Sequence, residues 1–83
     1  MTTRDHAEMF GLLSSELRLR ILIYLKKVHR ANVSELCKQM EQTQPLISAH
    51  LSKLRARGVV DYERKGKYAD YFITNEYVLQ LLS

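Results

Sequence analysis

The chain has 83 residues, 46% hydrophobic and 27% charged, with a formal net charge of +4 and a single cysteine. This describes one small globular domain, excludes a disordered chain or an internal disulfide framework, and favours an anionic partner. The longest purely apolar run, Ile21 to Leu25, is far too short to span a bilayer. The start, MTTRDHAEMF, has no apolar stretch of the secretory type. A cytoplasmic protein with no membrane partner is therefore expected. A core this small is marginal for a lone monomer, so a homodimer is a natural source of further burial.

In chain order, residues 3–13 read as a first helix (α1), with Ala7, Met9, Phe10, Leu12 and Leu13 apolar. Ser14 and Ser15 break that pattern and can cap a second helix (α2) from about Ser15 to Val28, whose apolar side is Leu19, Ile21, Leu22 and Leu25. Lys26 to Ala31 is polar and reads as a loop. Asn32 opens a third helix (α3, about 33–41), and Asn32 with Glu35 has capping-box spacing. Its buried side is Val33, Leu36 and Met40.

The stretch TQPLISAHLSKLRARG, Thr43 to Gly58, carries the most information. It reads as a fourth helix (α4, about 44–57) with Thr43 as N-cap, Pro45 tolerable in the first turn and Gly58 as the left-handed stop. Ile47, Leu51 and Leu54 recur at helical spacing and must face a core. Gln44, Ser48, His50, Ser52, Lys53 and Arg55 fall elsewhere, and no acid interrupts them. Gln and Ser near a helix start can reach base edges, while Lys and Arg can meet phosphates. Two short helices joined by a tight turn, the second one basic, make a helix-turn-helix.

After Gly58 the period becomes two: Val60, Tyr62 and Arg64 alternate with Val59, Asp61 and Glu63. Lys65-Gly66-Lys67 is the turn of a β-hairpin, about 59–74, with a basic tip. Thr74 or Asn75 can cap a short last helix (α5) holding Tyr77, Val78, Leu79, Leu81 and Leu82. From Thr43 to Lys67 there are six bases (Lys53, Arg55, Arg57, Arg64, Lys65, Lys67) against two acids, Asp61 and Glu63. The expected fold is mainly α with a small β-hairpin (α+β): a single winged helix-turn-helix over residues 1–83, ordered α1-α2-α3-α4-β-β-α5.

Three segments, in order and correctly spaced, resemble the ArsR/SmtB family of bacterial winged-helix repressors across nearly the whole chain. LLSSELRLRIL (Leu12 to Leu22) is similar to the family's entry into α2. VSELCKQMEQTQPLISAHLSKLRARGVV (Val33 to Val60) is similar to its helix-turn-helix core, S/T-Q-P/S-x-I/V-S-x-H-L-x-x-L. YERKGKYADYFI (Tyr62 to Ile73) is similar to its wing, R-x-G-K/R-x-x-x-Y. The resemblance implies a homodimer through α1 and α5 that represses a promoter at a palindromic operator. It places Gln44, Ser48 and His50 in the major groove, and Arg64, Lys65 and Lys67 along the backbone or minor groove. The chain departs from the family's metal-sensing patterns. The C-x-C-x-x-C of arsenic-responsive members falls on Asn32, Ser34 and Cys37, and α5 offers only Glu76 as an ionisable ligand. One thiol cannot make a selective site for a soft ion, so no metal and no cofactor is expected.

The expected partner is double-stranded DNA, contacted through Thr43, Gln44, Pro45, Ser48, His50, Lys53, Arg55, Arg64, Lys65 and Lys67. Met9, Phe10, Tyr77, Leu79 and Leu82 are the expected apolar dimer contacts. For His50 the competing role is a satisfied side chain at the edge of the core; for the wing bases, a solvated tip. Tyr62, Tyr68, Tyr71 and Phe72 are expected to pack across strands. Cys37 reads as a small, semi-buried residue of α3, with a redox sensor as the sharper alternative. His6 with Asp5 and Glu8 is a weaker candidate for a metal across the dimer. Nothing resembles a paired-carboxylate cleft, a phosphate-cradling glycine loop or a nucleophile on a strand-turn-helix, so the chain is not expected to be an enzyme. The competing readings are a protein-interaction module built on the same fold, or a regulator gated by Cys37 or by a small ligand.

Overall fold

The computed structural model describes residues 3, 4, 11, 13 and 15–82. The described positions of α1, namely Thr3, Arg4, Gly11 and Leu13, are helical, and Leu13 is buried. The rest of that expected helix, including Met9 and Phe10, lies outside the described residues, as do Asp5, His6 and Glu8. The elements with bounds are α2 (Glu16–Val28), β1 (Ala31–Asn32), α3 (Val33–Met40), α4 (Gln44–Ala56), β2 (Val60–Lys65), β3 (Tyr68–Ile73) and α5 (Glu76–Leu81). The expected hairpin is therefore part of a three-stranded antiparallel sheet, ordered β1-β3-β2.

Local chemistry sets most of the boundaries. The Ser15 hydroxyl accepts from the Arg18 N–H at 3.4 Å and starts α2. This helix continues through Lys26 and Lys27, which read as loop in the sequence, and stops only where His29 turns to φ 74°. Asn32 caps α3 by accepting from the Glu35 N–H at 2.8 Å. The capping box is only half made, because the Glu35 carboxylate instead accepts a hydrogen bond from the Tyr24 hydroxyl at 2.6 Å and so ties α2 to α3. That bond also raises the Tyr24 pKa above its ordinary value, ahead of burial.

Helix α4 starts without help from Thr43, whose side chain makes no capping hydrogen bond. Extended backbone at Thr43 and Pro45 in the first turn suffice. Its end is a complete Schellman motif. Gly58, at φ 72°, donates to the Arg55 carbonyl at 3.0 Å, and Val59 donates to Leu54 at 2.9 Å. Leu54 and Val59 are both fully buried, which supplies the apolar contact that accompanies this motif. The chain thus leaves α4 directly into the wing at a fixed angle.

The hairpin turns on Gly66-Lys67, with Gly66 at φ 62°, a left-handed position that glycine fills without a Cβ penalty. The register pairs Tyr62 with Tyr71 and Arg64 with Ala69. Asn75, rather than Thr74, caps α5 by accepting from the Val78 N–H at 3.1 Å. Thr74 instead bonds back to the Gly58 carbonyl at 3.1 Å.

The core is built from Leu13, from Ile21, Leu22 and Leu25 of α2, Ala31 of β1, Leu36 and Met40 of α3, Ile47, Leu51 and Leu54 of α4, Val59 and Val60 at the wing's base, and Val78 of α5, with Tyr71 and Ile73 of β3 packed partly against it. Each fully buried aliphatic side chain contributes roughly 1.5–3 kcal/mol relative to exposure. No polar or charged side chain is buried among the described residues. The buried face of α4 is therefore held by apolar packing.

Candidate nucleic-acid interface

Packing fixes which way α4 faces. Ile47, Leu51 and Leu54 are at 0% exposure, so the opposite side of the helix is turned to solvent. That side carries Pro45, Ala49, Ser52 and Ala56, flanked by Gln44, Leu46 and Lys53, all of them exposed. The stripe is built from small residues, so another molecule can approach the helix backbone closely. Ser48 and His50 sit at its edges and are half-buried.

His50 is committed in part to the protein. Its Nδ1 accepts from Arg18 Nε of α2 at 3.1 Å, which requires a neutral ring with the proton on Nε2. Burial lowers its pKa, helped by the positive charges of Arg18 and Lys53. Its remaining polar atom is an N–H donor, suited to a phosphate or base acceptor. This neutral state also links stability to pH. The unfolded imidazole titrates near 6.5, above the folded value, so the contribution is complete above that pH and is lost as pH falls through it. Urea midpoints should therefore fall between pH 7.5 and 5.5, and His50→Gln, which does not titrate, should flatten that decline. An equal decline in the variant would place the proton uptake elsewhere.

The wing carries two layers of aromatic and ionic contacts. Tyr62 and Tyr71 lie opposite each other with ring centroids 5.2 Å apart, as cross-strand packing requires. Arg55 reaches from the last turn of α4 to Asp61 at 3.0 Å and lies 4.6 Å over the Tyr62 ring. The Tyr62 N–H first, and Arg55 second, hold the Asp61 carboxyl below its ordinary pKa. Arg30 pairs with Glu63 at 3.1 Å and lies 4.6 Å over Phe72. Lys67 stands 5.4 Å over Tyr68.

Two surface hollows show which expected residues come together. A cleft of about 310 Å³ is lined by Gln44 from α4, Arg64 and Lys67 from the wing, and Asn32 and Ser34 at the start of α3. A larger groove of about 760 Å³ runs between α4 and the wing, with Ser52, Arg55, Asp61, Tyr62 and Arg64 on its walls. Gln44, Arg64, Lys67 and Arg55 thus share one side of the molecule. Thr43, Pro45, Lys53 and Lys65 are exposed but line neither hollow.

Three further residues lie on this side of the molecule without having stood out in the sequence. Leu46 is 39% exposed on α4; the 100° step of a helix, applied to Ile47, Leu51 and Leu54, places it away from the core. Ala49 is found the same way. Ser34 has no sequence signal, because only the fold brings the start of α3 beside Gln44.

The family's metal-sensing positions do not fit a metal here. Asn32 is occupied with the Glu35 N–H at 2.8 Å, Ser34 is exposed, and Cys37 is a half-buried thiol packed against the core. Among the described residues no three His, Cys, Asp or Glu side chains cluster as metal ligands would. Nor is any described helix long and apolar enough to cross a membrane. At α5 and its C-cap, Tyr77 and Leu82 pack partly against the core, and Leu79 lines an apolar hollow with Leu25 and Ile73. Leu81 is 43% exposed.

A buried three-helix core, a helix-turn-helix with its second helix turned outward and a basic hairpin beside it define a winged helix-turn-helix protein. Residues 15–62 match the model of the bacterial regulatory protein arsR family, and the chain belongs to that family. It is 36% identical over 64 residues to the arsenical resistance operon repressor of Escherichia coli K12, covering 77% of this chain and 55% of that protein. The chain thus spans about half the length of that relative. The solved structure of reduced HlyU from Vibrio cholerae superposes with a TM-score of 0.91 at 25% identity, over 96% of this chain and 83% of that one. The transcriptional repressor PagR of Bacillus anthracis does so at 0.85 and 29% identity, over 95% of this chain and 90% of that one.

Proposed function

We propose that this chain is a cytoplasmic, homodimeric, sequence-specific DNA-binding regulator that represses transcription without a metal. The observation that carries this reading is the cleft whose walls Gln44 of α4 shares with Arg64 and Lys67 of the wing. A base-reading amide and two phosphate-binding cations occupy one surface, the division of labour that DNA recognition needs. Family membership and the likeness to a named repressor support it.

In this reading α4 enters the major groove. Gln44 and Ser48 meet base edges, Leu46 meets a thymine methyl, and the small stripe of Pro45, Ala49 and Ser52 permits close approach. Thr43 adds a hydroxyl at the helix start, His50 donates from Nε2, and Lys53 meets phosphate. Arg64, Lys65 and Lys67 follow the flanking backbone. Two protomers, joined through α1 and α5, bind half-sites on the order of 34 Å apart, so the operator is a pseudo-palindrome. The exposed Leu81 and half-exposed Tyr77, Leu79 and Leu82 support α5 as part of the seam.

Competition binding with operator variants tests the readers. Gln44→Ala and Ser48→Ala should each relax sequence preference by roughly 1–3 kcal/mol at one position of each half-site. Uniform weakening across all sequences would show that these residues position the helix and read nothing.

A further inference from the structure

Arg55 was expected to meet phosphate, yet its guanidinium is already engaged. Nε lies 3.0 Å from Asp61 Oδ1. The same oxygen accepts the Tyr62 N–H at 2.8 Å, and the guanidinium carbon sits 4.6 Å over the Tyr62 ring. Tyr62 in turn packs on Tyr71 across the hairpin, with centroids 5.2 Å apart. One side chain from the last turn of α4 thus grips the wing at three points: a carboxylate, a ring and, through that ring, the middle strand.

From these contacts we infer that Arg55 and Asp61 are positioning residues for DNA recognition, a clip that fixes the lean of the wing against the reading helix. The inference rests on the DNA-binding reading above and extends it. The base of the wing is held separately, where Thr74 bonds to the Gly58 carbonyl at 3.1 Å and its N–H to Val59 at 2.9 Å. Those bonds anchor the base of the hairpin, and β1, paired at Ala31 with Tyr71 and at Asn32 with Asp70, together with Arg30 on Glu63, holds its other edge. Arg55 and Asp61 add the side-chain tie to α4 itself, on the walls of the groove between α4 and the wing, and so act on its width from the helix side. That width decides whether Arg64 and Lys67 reach phosphates while Gln44 reads bases.

The clip is not a stability device. Both side chains are about half exposed, at 52% and 51%, and solvent-exposed ion pairs add little to folding. Its contribution belongs to the spacing of two DNA-contacting elements.

Asp61 gives the sharpest test, because simple electrostatics and the clip predict opposite signs. Removing an acid from a surface that faces a polyanion should tighten binding if charge is all that matters. If Asp61 holds Arg55 in place, Asp61→Ala should weaken binding to the tightest duplex recovered from a random-sequence pool, by about five- to tenfold. Binding to a scrambled duplex of equal length should weaken less, because no base is read there and the lost acid partly offsets any lost phosphate contact, and the melting temperature should stay at the wild-type value. Arg55→Ala should weaken the selected duplex similarly, and the double variant should be no worse than either single one. Tighter binding by Asp61→Ala, or losses that simply add in the double variant, would overturn the clip and return Arg55 to a direct phosphate contact. A wild-type protein that prefers no duplex from the pool would overturn the DNA reading itself, and the clip with it.

Discussion

Leu51→Ala is expected to cost about 2–5 kcal/mol, the range for removing a fully buried leucine from a packed core. Leu51 is at 0% exposure, between Ile47 and Leu54 on the face of α4 that meets the core. No buried polar side chain among the described residues shares the task of holding that helix. A domain of this length is stable by roughly 4–12 kcal/mol in total, so the variant should unfold at a much lower urea concentration and in part at 37 °C. The neighbouring Ser52 is exposed, and Ser52→Ala should stay within about 0.5 kcal/mol of wild type. This pair separates packing from surface contact on the same turn of helix. A loss below about 1 kcal/mol for Leu51→Ala would mean that α4 is not held by its apolar face.

The second large effect concerns the wing. Lys65 and Lys67 are exposed at either side of the Gly66 turn, and neither supports the fold beyond the contact of Lys67 with the Tyr68 ring. Lys65→Ala with Lys67→Ala should therefore leave the urea midpoint in place. Each lost phosphate contact lowers the slope of log K against log salt by about 0.9, so the double variant should lose about two from that slope. Operator and scrambled DNA should weaken alike, since phosphates carry no sequence. An unchanged slope would remove the wing tip from the interface.

Much of this architecture is legible in the residues. Ser15, Asn32, Gly58 and Gly66 announce their roles because each acts within three or four residues of itself, through a hydroxyl, an amide or a missing Cβ. The core stripe of α4 is equally plain, since helical spacing alone selects Ile47, Leu51 and Leu54. What stays hidden depends on distance in the chain. Strand β1 has only Ala31 and Asn32, too few for any periodicity, and Asn32 serves it and the α3 cap with one extended backbone conformation (φ −87°, ψ 171°). Thr43 has the right chemistry for a cap and does not use it. Glu35 has the right spacing for a capping box and turns to Tyr24. Arg55 looks like a free cation on a basic helix and His50 like a DNA contact or a satisfied side chain with no partner named, yet Asp61 and Arg18 engage them, and only folding brings these pairs together. The cleft that joins Gln44 to Arg64 and Lys67 is likewise a product of tertiary structure.

The central claim is that α4 and the wing together recognise a particular duplex without a metal. The most direct measurement is fluorescence anisotropy of the purified, chelator-treated protein at physiological salt. The probe is DNA from upstream of its own gene, beside scrambled DNA of equal length. The expected result is clear preference for the native sequence, with the midpoint at least tenfold lower, about 1.4 kcal/mol. Equal, weak binding to both duplexes would contradict it, and would move the protein-interaction reading of the same fold to first place.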